Sequence, residues 1–208
     1  MFKNTLFTLR GGLLALALAG CASFANADTS YHATIDTSSM SGEGWLDLTF
    51  LPGMEQAVGA TATLSNFSGA FGSGLDLSGD ASGALPGSFT LGNGQSWNEV
   101  VQALTLGGSF SFDVSFSGAY QNTAGTGTTL GVGLLTSDQG AYLGNPAGNL
   151  FEIYLTPLQS NSSSVFAADV ATLAVAVAAV PEPSEYLLLI GGLCVLGAVS
   201  ARRRRSTR

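Results

Sequence analysis

Apolar and polar residues alternate with period two along much of the middle of this chain. In GSFSFDVSFSG, Phe110, Phe112, Val114 and Phe116 share one phase, while Ser109, Ser111, Asp113 and Ser115 share the other. Successive side chains of a strand point to opposite faces, so this is the pattern of a strand with one buried face. The same alternation sets Tyr31, Ala33 and Ile35 against His32, Thr34 and Asp36. It sets Leu46, Leu48 and Phe50 against Trp45, Asp47 and Thr49, and Ala60, Ala62 and Leu64 against Thr61 and Thr63. It also sets Phe151, Ile153 and Leu155 against Glu152 and Tyr154. Between these runs stand turn signals: Leu51-Pro52-Gly53, Pro86-Gly87, Asn93-Gly94, Gly107-Gly108 and Asn145-Pro146. Strands at this spacing, with no amphipathic helix among them, predict an all-β fold. The expected form is a single β-sandwich of jelly-roll-like topology over residues 28–180. Val165–Val177 is expected to be a final buried strand, because Asp169 is its one charge and valines recur in it. Phe67, Phe71, Phe89 and Phe166 are expected in the core, and Gln121–Thr129 and Ser160–Ser164 as polar loops.

The two ends follow other patterns. The chain begins MFKNTLFTLRGGLLALALAGCASFANA, with Lys3 and Arg10 ahead of an apolar run and Ala25-Asn26-Ala27 before Asp28. A positive region, an apolar region and a small-x-small site form a secretory signal peptide, residues 1–27, with cleavage between Ala27 and Asp28. The expected partners at this stage are the Sec translocon and signal peptidase. Leu18-Ala19-Gly20-Cys21 also resembles the lipobox of bacterial lipoproteins, in which the cysteine is acylated and becomes the first mature residue. Cys21 is therefore a candidate lipid anchor, and the two readings differ in the anchor but not in the fold. At the other end nothing from Leu187 to Ala201 is charged. A helix over 184–201 is about 27 Å long at 1.5 Å per residue, close to a hydrocarbon thickness of about 30 Å. Arg202, Arg203, Arg204 and Arg205 follow and are expected to stay on the cytoplasmic side of the inner membrane.

Charge narrows the function of the middle. The chain carries net charge -7, and no Lys or Arg stands between Arg10 and Arg202. Neutralising phosphates takes Lys or Arg, so nucleic-acid binding by the body is not expected. The two cysteines, Cys21 and Cys194, lie in the terminal segments, so the body has neither a disulfide framework nor a cysteine zinc site. With His32 the one histidine, a multi-histidine metal centre is excluded, and no cofactor is expected. A Ser-His-Asp triad would need His32, which falls on the polar phase of its strand, and no G-x-S-x-G elbow occurs. Glu43, Asp47, Glu55, Glu99, Asp113 and Glu152 supply carboxylates for a glycosidase pair, which needs two of them about 5–9 Å apart. Solvated acids on outward strand faces are the simpler expectation. Asp76, Asp80, Asp138 and Asn145 are oxygen donors near loops, but none forms a D-x-[DN]-x-[DN]-G calcium loop. Trp45, on an outward phase, and Trp97, after a turn, are candidates for stacking on sugar rings.

The C-terminal order of Pro181-Glu182-Pro183, a short apolar span and an arginine tail resembles the PEP-CTERM sorting signal of exported bacterial proteins. The resemblance covers residues 181–208. It implies a partner, exosortase, a membrane-embedded enzyme that recognises and removes the tail. It further implies a Gram-negative host that makes exopolysaccharide. The opening of the body, IDTSSMSGEGWLDLTFLPG followed by ATATLSNFSG, is similar to a group of small PEP-CTERM proteins, which implies one all-β domain and brings no catalytic residues. The expectation is an exported, non-enzymatic protein. It would pass through a membrane-anchored intermediate to the cell surface or the extracellular matrix. The alternatives are a carbohydrate-binding module for exopolysaccharide and a carboxylate-pair glycoside hydrolase.

Overall fold

The computed structural model describes residues 30–54, 57–158, 163–167 and 173–180, with residues 191 and 192. Asp28–Val180 forms one compact unit. It is all-β: among the described residues twelve strands make two six-stranded sheets, and every pairing between these strands is antiparallel. The strands are β1 (Ser30–Asp36), β2 (Gly42–Pro52), β3 (Ala60–Ser68), β4 (Phe71–Ser78), β5 (Ala81–Gly83) and β6 (Phe89–Gly92). They continue as β7 (Glu99–Leu106), β8 (Ser109–Gly118), β9 (Thr128–Thr136), β10 (Phe151–Leu155), β11 (Ser163–Ala167) and β12 (Ala174–Val180). The first sheet runs β12-β1-β8-β3-β6-β5 and the second β11-β10-β9-β2-β7-β4. The chain changes sheet at each step from β1 to β4. It later returns β7 beside β2 and threads β8 between β1 and β3.

The alternating apolar sets face each other between the sheets. Tyr31, Ala33 and Ile35 of β1, Leu46, Leu48 and Phe50 of β2, and Phe110, Phe112, Val114 and Phe116 of β8 belong to one buried cluster. Phe50 from the second sheet stacks on Phe116 from the first, ring centroids 6.1 Å apart. Phe67 stacks on Phe112 at 5.4 Å and meets Phe71 and Phe89 edge-on, arrangements that the ring quadrupole favours.

Four expectations need correction. Val165–Val177 is not one buried strand. Its ends belong to β11, at the edge of the second sheet, and to β12, at the edge of the first. In β12 only Val175 and Val177 are half-buried, and the other five residues are exposed. Phe166 is 59% exposed rather than in the core, because β11 has a neighbour on one side only and its Phe166 phase faces outward. The polar loops are shorter than expected: Thr128 and Thr129 open β9, and Ser163 and Ser164 open β11. Asp47 and Thr49 take the outward phase of β2 as expected, yet they are 2% and 6% exposed.

The signal peptide with Cys21, the Pro181–Pro183 box and Arg202–Arg205 lie outside the described residues. So does the span Leu187–Ala201 apart from residues 191 and 192, which are helical. Among the described residues no helix is long and apolar enough to cross a membrane.

Candidate functional site

What covers Asp47 is a local consequence of glycine. Strand β2 lies between β7 and β9, with Asp47 opposite Val101 and Gly133, and Thr49 opposite Glu99 and Gly131. The two glycines leave the outward side of β9 bare. A Cβ on Gly133 would come within 2.9 Å of the Tyr142 ring, and one on Gly131 would collide with the Asn149 amide. The β9–β10 connection uses that space to fold back over the sheet. Its return is fixed by the bridge between Leu135 and Tyr142 and by Leu143 N–H donating to the Leu134 carbonyl at 2.8 Å. Farther along, the Asn145 amide donates to the Asn149 carbonyl at 2.6 Å, and its Oδ1 accepts from Ala147 N–H at 3.1 Å.

Tyr142 and Asn149 are thereby set above a row of acids. The Tyr142 hydroxyl donates to Asp47 Oδ2 at 3.3 Å, and Asn149 Nδ2 donates to Glu152 Oε1 at 3.0 Å. Trp97, in the β6–β7 turn and 50% exposed, donates its indole N–H to Glu99 Oε2 at 3.1 Å. Asp47 Oδ1 is buried without a hydrogen-bond partner. Burial, and after it the negative charge of Glu99, push the Asp47 carboxyl up to about 6. Burial and the neighbouring Asp47 also raise the Tyr142 phenol above its ordinary value.

The candidate residues separate accordingly. Of the carboxylates read from the sequence, Asp47 and Glu99 come together, with Glu152 on the same face across Gly131. Glu99 is open to solvent in part, whereas Asp47 is buried and hydrogen-bonded to Tyr142. Asp113 belongs to the outer face of the other sheet, Glu43 is exposed at the start of β2, and Glu55 lies outside the described residues. Trp45 is half-buried. Its N–H donates to the Ser137 carbonyl at 3.1 Å, and its ring lies over Gly74, where a Cβ would approach it to 2.7 Å. Trp97 is the better placed of the two tryptophans for an external ring. Tyr154, on the same outward face and 38% exposed, extends the surface along β10.

His32 Nδ1 lies 2.5 Å from Asp113 Oδ1, whose carboxylate also accepts from Asn66 Nδ2 at 2.7 Å. Thr34 Oγ1 is 3.3 Å from the other ring nitrogen. The Asn66 amide first, and His32 after it, hold the Asp113 carboxyl below the usual range against some opposing burial. This is a hydrogen-bonded chain on an open strand face, in line with a histidine paired at the surface. Asp138 closes its own turn, accepting from Thr136 Oγ1 and Gly140 N–H. Among the described residues no group of three or more His, Cys, Asp or Glu is arranged to hold a metal ion. A cleft of about 600 Å³ opens beside the turn after β3 and the β5–β6 loop, walled by Phe67, Phe71, Leu85 and Pro86.

Sequence reasoning named Asp47, Glu99, Trp45 and Trp97 but not Tyr142 or Asn149. Neither stands in an alternating run. Their one signal is indirect: glycines at successive outward positions of LGVGLL, which vacate the surface that a returning loop then fills. Comparison with family models, with curated proteins and with solved structures gave no match to this chain.

Proposed function

We propose that this chain is an exported, non-catalytic β-sandwich protein of the cell envelope or extracellular matrix. In this reading exosortase processes it at the inner membrane, and it acts alongside exopolysaccharide. A jelly-roll reading is supported by the order β1-β8-β3-β6 in one sheet and β2-β7-β4 in the other, to which β5 and β12 add on the first sheet and β9–β11 on the second. One observation carries the reading. Among the described residues the first strand begins at Ser30, just past Ala27, the last ends at Val180, just before Pro181, and Ser30 pairs with Val180. Removing a leader up to Ala27 and a tail from the Pro-Glu-Pro box onward leaves all twelve strands intact. That is what a domain between two removable addresses requires. In this reading the prolines of the box, each of which disfavours the helical region for the residue before it, suit an extended substrate for a processing enzyme. Intact-mass measurement of the protein recovered from its host tests this. The expected mass starts at Asp28 and ends near the box. A full-length chain, or an acylated chain starting at Cys21 and keeping its arginines, would contradict it.

A second reading is favoured by the outer face of the second sheet. Trp97 is half exposed and oriented by Glu99, and Tyr142, Asn149, Glu152 and Tyr154 stand farther along the same outer face. Aromatic faces flanked by hydrogen-bonding groups suit neutral sugar rings, and the absence of Lys and Arg between Arg10 and Arg202 disfavours polyanionic glycans. Under this reading Trp97→Ala abolishes binding to a neutral glycan on an array, and Trp45→Ala weakens it less. Binding that survives Trp97→Ala removes the reading.

A further inference from the structure

Residues 137–150, between β9 and β10, fold back over the outer face of the second sheet and are fastened to it by side chains. The Trp45 indole N–H donates to the Ser137 carbonyl at 3.1 Å, the Tyr142 hydroxyl to Asp47 Oδ2 at 3.3 Å, and Asn149 Nδ2 to Glu152 Oε1 at 3.0 Å. The Asp47 fastening differs from the other two. Asp47 is 2% exposed, and its Oδ1 is buried without a hydrogen-bond partner. Among the described residues, the titratable groups on its face are acids. Glu99 stands diagonally across on β7, and Asp76 lies one strand farther, on β4, opposite Val101. Glu152 is on β10 beyond Gly131, and Glu43 is on β2 itself, beyond Trp45. From the connection Tyr142 faces the carboxyl, while Asp138 closes its own turn. No Lys or Arg stands between Arg10 and Arg202, and His32 pairs with Asp113 in the other sheet. A carboxylate buried without a cation and beside a second carboxylate is costly, so the side chain is held as the neutral acid.

We propose that this connection is a strap latched by a proton on Asp47, held shut while the proton is kept and opening more readily once it is lost. Linkage sets the direction. The Tyr142 ring lies over Gly133, the β9 neighbour of Asp47, and its hydroxyl caps the carboxyl. Lifting the strap admits water to that carboxyl and weakens burial, the largest cause of its raised pKa. A motion that lowers the pKa is favoured in turn by ionisation, so loss of the proton drives opening. The Tyr142 hydrogen bond favours the ionised form and opposes this. Burial and Glu99 outweigh it and set the carboxyl at about 6. Shut, the strap places Tyr142 and Asn149 on the outer face. Open, it bares Asp47, Glu99 and the two glycines of β9. The inference rests on neither the sorting reading nor the sugar reading.

The test is amide hydrogen exchange on the full-length chain in mild detergent. It is read as protection factors, which remove the intrinsic effect of pH on exchange. Thr136 and Leu143 donate their N–H groups across the base of the strap, to Ala141 and Leu134. Both amides should be less protected than those in the middle of β8, as a local opening requires. Their protection should fall roughly tenfold to a hundredfold as pH rises from about 4, and level off above about 6. Asp47→Asn cannot ionise and should hold strap protection constant across that range. Glu99→Gln removes the neighbouring charge and should bring the levelling-off to a lower pH. Strap amides as protected as those of β8, or protected to the same degree at every pH, would overturn the proposal. So would a pH dependence that survives Asp47→Asn, or a levelling-off that Glu99→Gln leaves in place.

Discussion

Asp47 shows what a single position costs and controls. A carboxylate removed from water, facing a second carboxylate, is held more easily as the neutral acid, which is why its pKa is raised to about 6. The unfolded chain titrates near 3.8, so the folded state holds the extra proton between the two values. Stability from this group is fully present below about pH 4 and is lost as pH rises through about 6. The shift corresponds to a loss on the order of 3 kcal/mol. Asp47→Asn should therefore flatten the dependence of the melting temperature on pH between 4 and 6 and leave the variant at least as stable as wild type at pH 7. A wild type equally stable across that window would contradict the account. The outward phase of Asp47 was legible in the alternation WLDLTF, but its burial was not. Alternation tells which face a side chain points to and not what later folds over that face. The cover comes from Tyr142, nearly a hundred residues downstream, which donates to the same carboxyl.

Strand β4 depends on its neighbour at the scale of an element. Gln102 of β7 is 2% exposed, and its amide donates to the carbonyls of Gly72 at 2.7 Å and Gly74 at 3.0 Å, bridging the bulge of β4. Gln102→Leu keeps the volume but removes the donor that ties those two carbonyls together, a loss of about 1 kcal/mol per hydrogen bond. Amide exchange should then quicken in Phe71–Ser78 while β2 and β9 keep their protection; uniform quickening would show that the link is not local. Neither β4 nor β7 was legible as a strand. In EVVQALTL the inner phase carries Gln102 and the outward phase carries Val101 and Ala103, so the apolar alternation is broken, and FGSGLDLS is broken by glycines. Strands with one dry face, such as β1, β2, β3, β8 and β10, were legible for the opposite reason. The segment Val165–Val177 misled because valine content reports preference for a strand without reporting where a strand ends. The chain uses the two halves on different sheets.

At the scale of the whole molecule, the body has an apolar core, and no Lys or Arg stands between Arg10 and Arg202. Among the described residues its first and last strands pair, with Ser30 opposite Val180. The all-β class was legible across the chain because turn pairs separate short alternating runs. The order in which the strands lie within the sheets was not, since pairing of β8 with both β1 and β3 depends on contacts far apart in sequence. The central claim, an exported body between removable addresses, is tested most directly by tagging the protein within the body and again after Arg208. Host cells with and without exosortase are then fractionated. The account predicts that the body tag reaches the surface or medium without the tail tag, and that this depends on exosortase. Both tags remaining together in the membrane of either strain would contradict it.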